Sequence, residues 1–130
     1  MPIWNHWKMM WKSEALPKIK FFVWTLLKGK ILTAENLQKR GINGPSRCPN
    51  CYAAEETMKH LFVDCSFAIE YWKEPYPIVN LPGISQHSIG DAIHHCKKNC
   101  PWKNKKRNLA QRVWNTLPYT MLWSIWLVRN

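Results

Sequence analysis

Four residues, Cys48, Cys51, His60 and Cys65, constrain this chain more than any other feature, through the spacing Cys-x2-Cys-x8-His-x4-Cys. Two residues between cysteines turn both sulfurs to one side of a tight knuckle. A His and a Cys from a following helix then complete a tetrahedron. Three thiolates and one imidazole leave no coordination position for water, so the ion this set implies, Zn2+, is structural rather than catalytic. Structural zinc contributes roughly 10–16 kcal/mol of apparent binding energy in small modules, whereas a whole domain is stable by only about 5–15 kcal/mol. Loss of the ion is therefore expected to unfold at least residues 46–73. The competing reading, ordinary buried thiols and a hydrogen-bonded His, suits a Cys-x2-Cys pair alone but not one followed by His60 and Cys65 at ligand spacing.

The 130 residues suit one domain, and 46% hydrophobic content excludes a disordered tail. Nine Trp supply large apolar area, and a metal staple helps a core of this size. Five Cys, an odd number, follow a Trp- and Lys-rich opening with no secretory pattern. The thiols thus point to a reducing compartment, nuclear or cytoplasmic, and to metal rather than disulfides. The longest apolar run, Leu117 to Val128, is too short to span a membrane and contains Pro118. His87, His94, His95, Cys96 and Cys100 form a second possible metal cluster without a tight knuckle, for which surface or core roles are the simpler expectation.

The pattern predicts a mainly α fold: a small helical zinc-binding domain with a CCHC knuckle, then a Pro-rich connector and C-terminal helices. Trp4, Trp7 and Trp11 fall at helical intervals in a Trp-rich N-terminal arm, residues 1–16. Residues 17–73 form the zinc-binding unit. Pro17 suits a helix first turn, and Ile19, Phe22, Val23, Leu26 and Leu27 share one arc of a helix from Lys18 to Lys28, stopped by Gly29. Thr33 caps a short helix, Ala34 to Arg40, closed by Gly41. A helix from Glu55 to Val63 carries His60, and Ser66 caps another, Phe67 to Lys73. Residues 74–87 are a connector. The tail, 88–130, opens with a helix from Ile89 to Lys98 capped by Ser88 and broken at Cys100-Pro101. A basic helix starts near Lys103 and is interrupted by Pro118, and Tyr119 to Arg129 is apolar on nearly every side, which normally means burial on all faces.

The formal charge of +11 is uneven. Residues 1–47 carry nine Lys/Arg against Glu14 and Glu35, and residues 91–130 carry eight against Asp91, while the stretch between them is acidic. Such a field favours a polyanion, and nucleic acid is the commonest one. Lys20, Trp24 and Lys28 recur every four residues opposite the apolar arc, with Phe21 beside them. The lysines suit phosphate contact, while Trp24 is expected to pack against another helix. Lys103, Lys105, Lys106, Arg107 and Arg112 form the densest basic run, a second candidate phosphate surface. Binding of RNA or DNA through these residues would be sequence-independent and salt-sensitive.

Several segments together resemble one family. Trp11-Lys12 with Leu16-Pro17-Lys18-Ile19-Lys20-Phe21-Phe22-Val23-Trp24, then Ile31-Leu32-Thr33 to Leu37-Gln38-Lys39-Arg40-Gly41, resemble the zinc-binding domain of plant LINE-type (non-LTR) reverse transcriptases. Cys48-Pro49-Asn50-Cys51, Glu56, His60-Leu61-Phe62, Cys65, Phe67-Ala68 and Trp72 continue the likeness, and Leu122-Trp123-Ser124-Ile125-Trp126 to Arg129-Asn130 resembles the segment that follows the domain. The resemblance implies metal ligands at Cys48, Cys51, His60 and Cys65 and a module downstream of a polymerase that assists contact with template nucleic acid. An RNase H-like region often follows such a module. No Tyr-x-Asp-Asp motif or RNase H carboxylate cluster occurs in this sequence, and no His-x-Glu precedes the Cys pair as a zinc deaminase would require. An accessory, non-enzymatic role is expected. Two alternatives stand beside nucleic-acid binding: docking on a polymerase or RNase H-like domain, and a fragment of a decayed element with no retained function.

Overall fold

A computed structural model describes residues 3–73, 89–98 and 109–130. The expected connector, the Ser88 cap, the break at Cys100-Pro101 and the start of a helix near Lys103 lie outside the described residues. Among those described there are six α-helices and one π-helical turn: α1 (Ile3–Lys12), α2 (Pro17–Leu27), α3 (Ala34–Lys39), the π turn (His60–Asp64), α4 (Ser66–Lys73), α5 (Ile89–Lys98) and α6 (Leu109–Arg129). The fold is mainly α, as the sequence predicts.

Local chemistry explains the ends of the early helices. Pro17 occupies the first turn of α2, where its missing N–H costs nothing. Gly29 ends that helix at φ +72°, and Gly41 follows α3 at φ +79°, the left-handed geometry glycine tolerates best. The Thr33 hydroxyl accepts from Asn36 N–H at the start of α3. Buried Asn36 donates to Ile31 O (2.6 Å) and Gly29 O (3.1 Å), tying α3 back to the loop before it.

The core is an aromatic and aliphatic cluster in which the last helix is central. Phe22 of α2 meets Trp123 and Trp126 of α6 at 5.1 and 6.1 Å between ring centres. Phe62 of the π turn lies 6.2 Å from Phe22 and stacks on Trp126 at 6.4 Å. Met10 of α1 is fully buried, and α5 packs on α1, the π turn and α6. At the α5–α6 contact the Trp114 indole donates to Cys96 O (2.9 Å), and Lys97 donates to Tyr119 Oη. Burial brings the Lys97 ammonium down to about 8 and pushes the Cys96 thiol up to about 12.

Two expectations for α6 are corrected. Pro118 does not interrupt the helix, which runs unbroken from Leu109 to Arg129. Proline costs a helix interior about 3 kcal/mol. On either side of it Trp114, Tyr119, Met121, Leu122 and Ile125 are buried, each contributing about 1.5–3 kcal/mol for a large apolar side chain, so packing outweighs the lost hydrogen bond. Nor is the final segment buried on all faces: Leu127 and Val128 are more than half exposed. Only one face of α6 turns into the core.

A buried ion pair fastens the end of α6. Arg129 donates from Nε to Glu56 Oε2 (2.9 Å) and from Nη2 to Glu56 Oε1 (2.7 Å), while Ala34 N–H donates to the same Oε1 (2.8 Å). Glu56 thereby caps α3, where the helix dipole favours an anion, and holds the end of α6 seventy-three residues away. The Arg129 guanidinium also lies 5.1 Å from the Trp126 ring centre. Removing one member of a buried pair strands the other charge, at a cost of about 3–5 kcal/mol. Arg129→Met is therefore expected to lower the urea-unfolding free energy by about 3 kcal/mol. Arg112→Met, which breaks the exposed pair with Glu14, should cost under about 1 kcal/mol in the same titration.

Candidate metal centre

The four predicted ligands converge. The ligand atoms of Cys48, Cys51, His60 and Cys65 all lie within 4.8 Å of one another. Cys48 Sγ and Cys65 Sγ are 3.8 Å apart, and Cys51 Sγ is 3.3 Å from His60 Nε2. A tetrahedral ion with metal–sulfur bonds of about 2.3 Å sets sulfur–sulfur edges of about 3.8 Å and mixed edges of about 3.5 Å. The donor set and its size fit zinc. Cys48 and Cys65 are fully buried and Cys51 and His60 partly so.

Two local devices assemble the site. The first is the knuckle. An antiparallel bridge between Arg47 and Glu55 brings the loop ends together, Cys48 N–H donates to Ala54 O (2.8 Å), and Glu56 N–H donates to Ser46 O (2.7 Å). Tyr52 N–H donates to Cys48 O (2.9 Å), closing the turn over the cysteines. That turn forces Tyr52 to φ +58°, an outlier for a bulky residue.

The second device is the π turn. The expected helix from Glu55 to Val63 starts later, because Glu55 belongs to the bridge, Glu56 is a buried acceptor, and the Thr57 hydroxyl accepts from His60 N–H (3.1 Å) as a cap. Five residues along a regular α-helix would leave positions 60 and 65 about 140° apart. Here Cys65 N–H donates to His60 O (2.7 Å), five residues back. The wider turn brings His60 and Cys65 to the same side, a common use of π geometry. The Trp72 indole donates to Phe62 O (2.8 Å), pinning this turn to α4.

The thiols are not equivalent. Ala53 N–H donates to Cys51 Sγ (3.4 Å), and this donor, helped by His60, Cys65 and Cys48, brings the Cys51 thiol down to about 6. Burial pushes Cys65 up to about 11, against weaker donors in the backbone of Ala68 and Phe67. A buried thiolate needs a compensating cation beside it, and a bound dication supplies one.

Other predicted site residues lie elsewhere. Lys20 donates to Trp11 O (3.1 Å), and Lys28 Nζ sits 5.2 Å from the Trp24 ring centre. Trp24 packs partly into the core. Arg112 pairs with Glu14 (2.7 Å). Lys103, Lys105, Lys106 and Arg107 lie outside the described residues, as do His87, Cys100 and the His95 side chain. Cys96 is buried at the α5–α6 contact.

Beside the knuckle, a cavity of about 260 Å³ is lined by Leu37, Ile42, Pro45 and Pro49, with Glu56 and Arg129 in its wall. The Glu56 carboxylate there is already engaged by Ala34 and Arg129. Sequence reasoning missed the Glu56–Arg129 pair and the strain at Tyr52. Glu56, one of an acidic pair with Glu55, carried no local signal for the first, because its partner lies seventy-three residues away; a knuckle closed by Tyr where glycine fits better was the signal for the second.

Left-handed backbone costs an L-residue roughly 1–2 kcal/mol, and glycine returns roughly 0.5–1 kcal/mol of that as unfolded-chain entropy. Tyr52 is exposed, so its ring contributes little. Tyr52→Gly should raise the unfolding free energy of the zinc-loaded protein by about 0.5–1 kcal/mol in urea. Tyr52→Val should lower it.

Comparison with known proteins agrees with the geometry. The family described as zinc-binding in reverse transcriptase matches residues 2–72, a segment that contains all four ligands. No curated protein and no solved structure matches the chain. With more than half of its length matched and the Cys3His set assembled, the chain belongs to the family of zinc-binding domains in reverse transcriptases.

Proposed function

We propose that this chain is a non-catalytic accessory module of a plant LINE-type (non-LTR) reverse transcriptase, in which one structural zinc ion organises a basic helical surface for RNA or DNA. When bound, the ion supplies cross-linking of the knuckle to the π turn. Its four protein ligands leave it no open position for substrate. The thiol ligands suit a reducing, intracellular compartment. No helix among the described residues is long and apolar enough to cross a membrane.

The distribution of unpaired charge supports nucleic-acid binding. Glu14, Glu35, Glu56, Asp64 and Glu70 each pair with a basic side chain. Among the described residues no acidic side chain pairs with Lys8, Lys12, Lys18, Lys20, Lys28 or Lys30, which leaves α1, α2 and the following turn with a surplus of positive charge. Such a surface collects phosphates without reading bases.

One observation favours a second reading, docking on a polymerase or RNase H-like domain. The outer side of α6 exposes Leu109 and Val113 near its start and Leu127 and Val128 near its end, separated by Thr116, Thr120 and Ser124, two apolar spots that a protein partner would cover.

Salt dependence separates the two. With labelled single-stranded RNA and the zinc-loaded chain, the affinity should fall with salt with a log–log slope of about −2 to −4, the value for three to six phosphates. Absent or salt-independent binding would remove the nucleic-acid reading and leave docking.

A further inference from the structure

Rings and cations alternate along the outer side of α1 and α2. Trp11 is 42% exposed and Phe21 63% exposed, although both are large apolar groups. Lys20 Nζ lies 5.8 Å from the Trp11 ring centre while hydrogen-bonded to the Trp11 carbonyl. Phe21 sits 6.0 Å from Trp24 at a tilt of 38°, and Lys28 covers the Trp24 ring. Helical periodicity builds the row: Lys20, Trp24 and Lys28 are four residues apart, and Phe21 reaches Trp24 across one turn.

The members of the row differ in role. Trp24 is anchored in the core on one side and supports Phe21 and Lys28 on the other. Phe21 and Trp11 therefore present the open ring surface. Lys20 and Lys28 have no acidic partner among the described residues. The eight-residue step between them rises about 12 Å, close to three stacked nucleotides at about 3.4 Å each. A protein partner would find cations inside its apolar contact, whereas a nucleic-acid strand needs both groups: phosphates for the ammonium ions and base faces for the rings. Only unpaired bases offer those faces, because a duplex hides them in its stack.

We propose that Trp11 and Phe21 form a stacking platform for unpaired bases of single-stranded RNA or DNA, flanked by Lys20 and Lys28 on the phosphates. This rests on the nucleic-acid reading above and narrows it to single strands and to one face. Trp24 acts as a positioning residue under the platform.

The test uses the full zinc-loaded chain and fluorescence anisotropy with a labelled 12-nucleotide RNA, the matching DNA strand and the 12-base-pair DNA duplex. Single strands should bind about tenfold more tightly than the duplex, and Phe21→Leu and Trp11→Leu should each weaken single-strand binding about tenfold. Phe21→Trp should retain it. The ring variants should keep the wild-type salt slope and melting temperature, while Lys20→Gln and Lys28→Gln should each reduce the slope by about 0.7. The RNA and DNA arms identify which single strand is preferred, and either preference supports the platform. Salt-sensitive binding that is unchanged in both Leu variants, or equal for duplex and single strand, would overturn the platform yet keep the nucleic-acid reading, and would reassign the exposed rings to a protein partner. Failure of every oligonucleotide to bind would overturn both.

Discussion

Three thiols and one imidazole, drawn together at the spacing a zinc ion sets, are the constraint around which the described part of this fold is arranged. Residues 46–56 have little apolar surface of their own to bury, and the bridge between Arg47 and Glu55 is isolated. A metal ion worth roughly 10–16 kcal/mol in comparable modules exceeds what such a loop gains from a few hydrogen bonds at about 1 kcal/mol each. The clamp also reaches beyond itself. His60 and Cys65 bound the π turn, and that turn delivers Phe62 against both Phe22 and Trp126. The metal site and the aromatic core are thus two sides of the same five-residue segment.

The Glu56–Arg129 pair adds a second tie. It runs from the residue just before the Thr57 cap to the end of α6, and its carboxylate also caps α3. Two polar centres, the Cys3His cluster and the ion pair, therefore flank the short stretch between Glu56 and Cys65. This arrangement leaves α2 with one side against α6 and its other side free to carry lysines and rings. The proposed nucleic-acid contact lies on that side, with the Cys3His cluster behind it.

Much of this was legible in the sequence because it depends on local chemistry. The ligand set followed from spacing, α2 and α3 from their apolar arc and stop signals, and the Ile89–Lys98 helix from the Ser88 and Cys100-Pro101 signals that bracket it in the sequence. What was not legible depends on tertiary contact. Pro118 read as a break because local propensity opposes it, and only the buried face around it reverses the balance. The π turn is invisible to a 3.6-residue period, since a single extra residue in the turn is set by the need of His60 and Cys65 to meet. Glu56 looked like one of several acidic residues until Arg129 was placed beside it. The apolar flank at Leu127 and Val128 read as core because composition alone does not say how many neighbours a helix has.

The most direct measurement is metal content combined with near-ultraviolet circular dichroism, recorded on reduced protein as a chelator is added. One zinc per chain is expected, and its removal should abolish the Trp signal as Phe62 leaves the Trp126 ring it stacks on. A purified chain without stoichiometric metal, whose aromatic spectrum and melting curve ignore the chelator, would contradict the claim that the ion organises this fold.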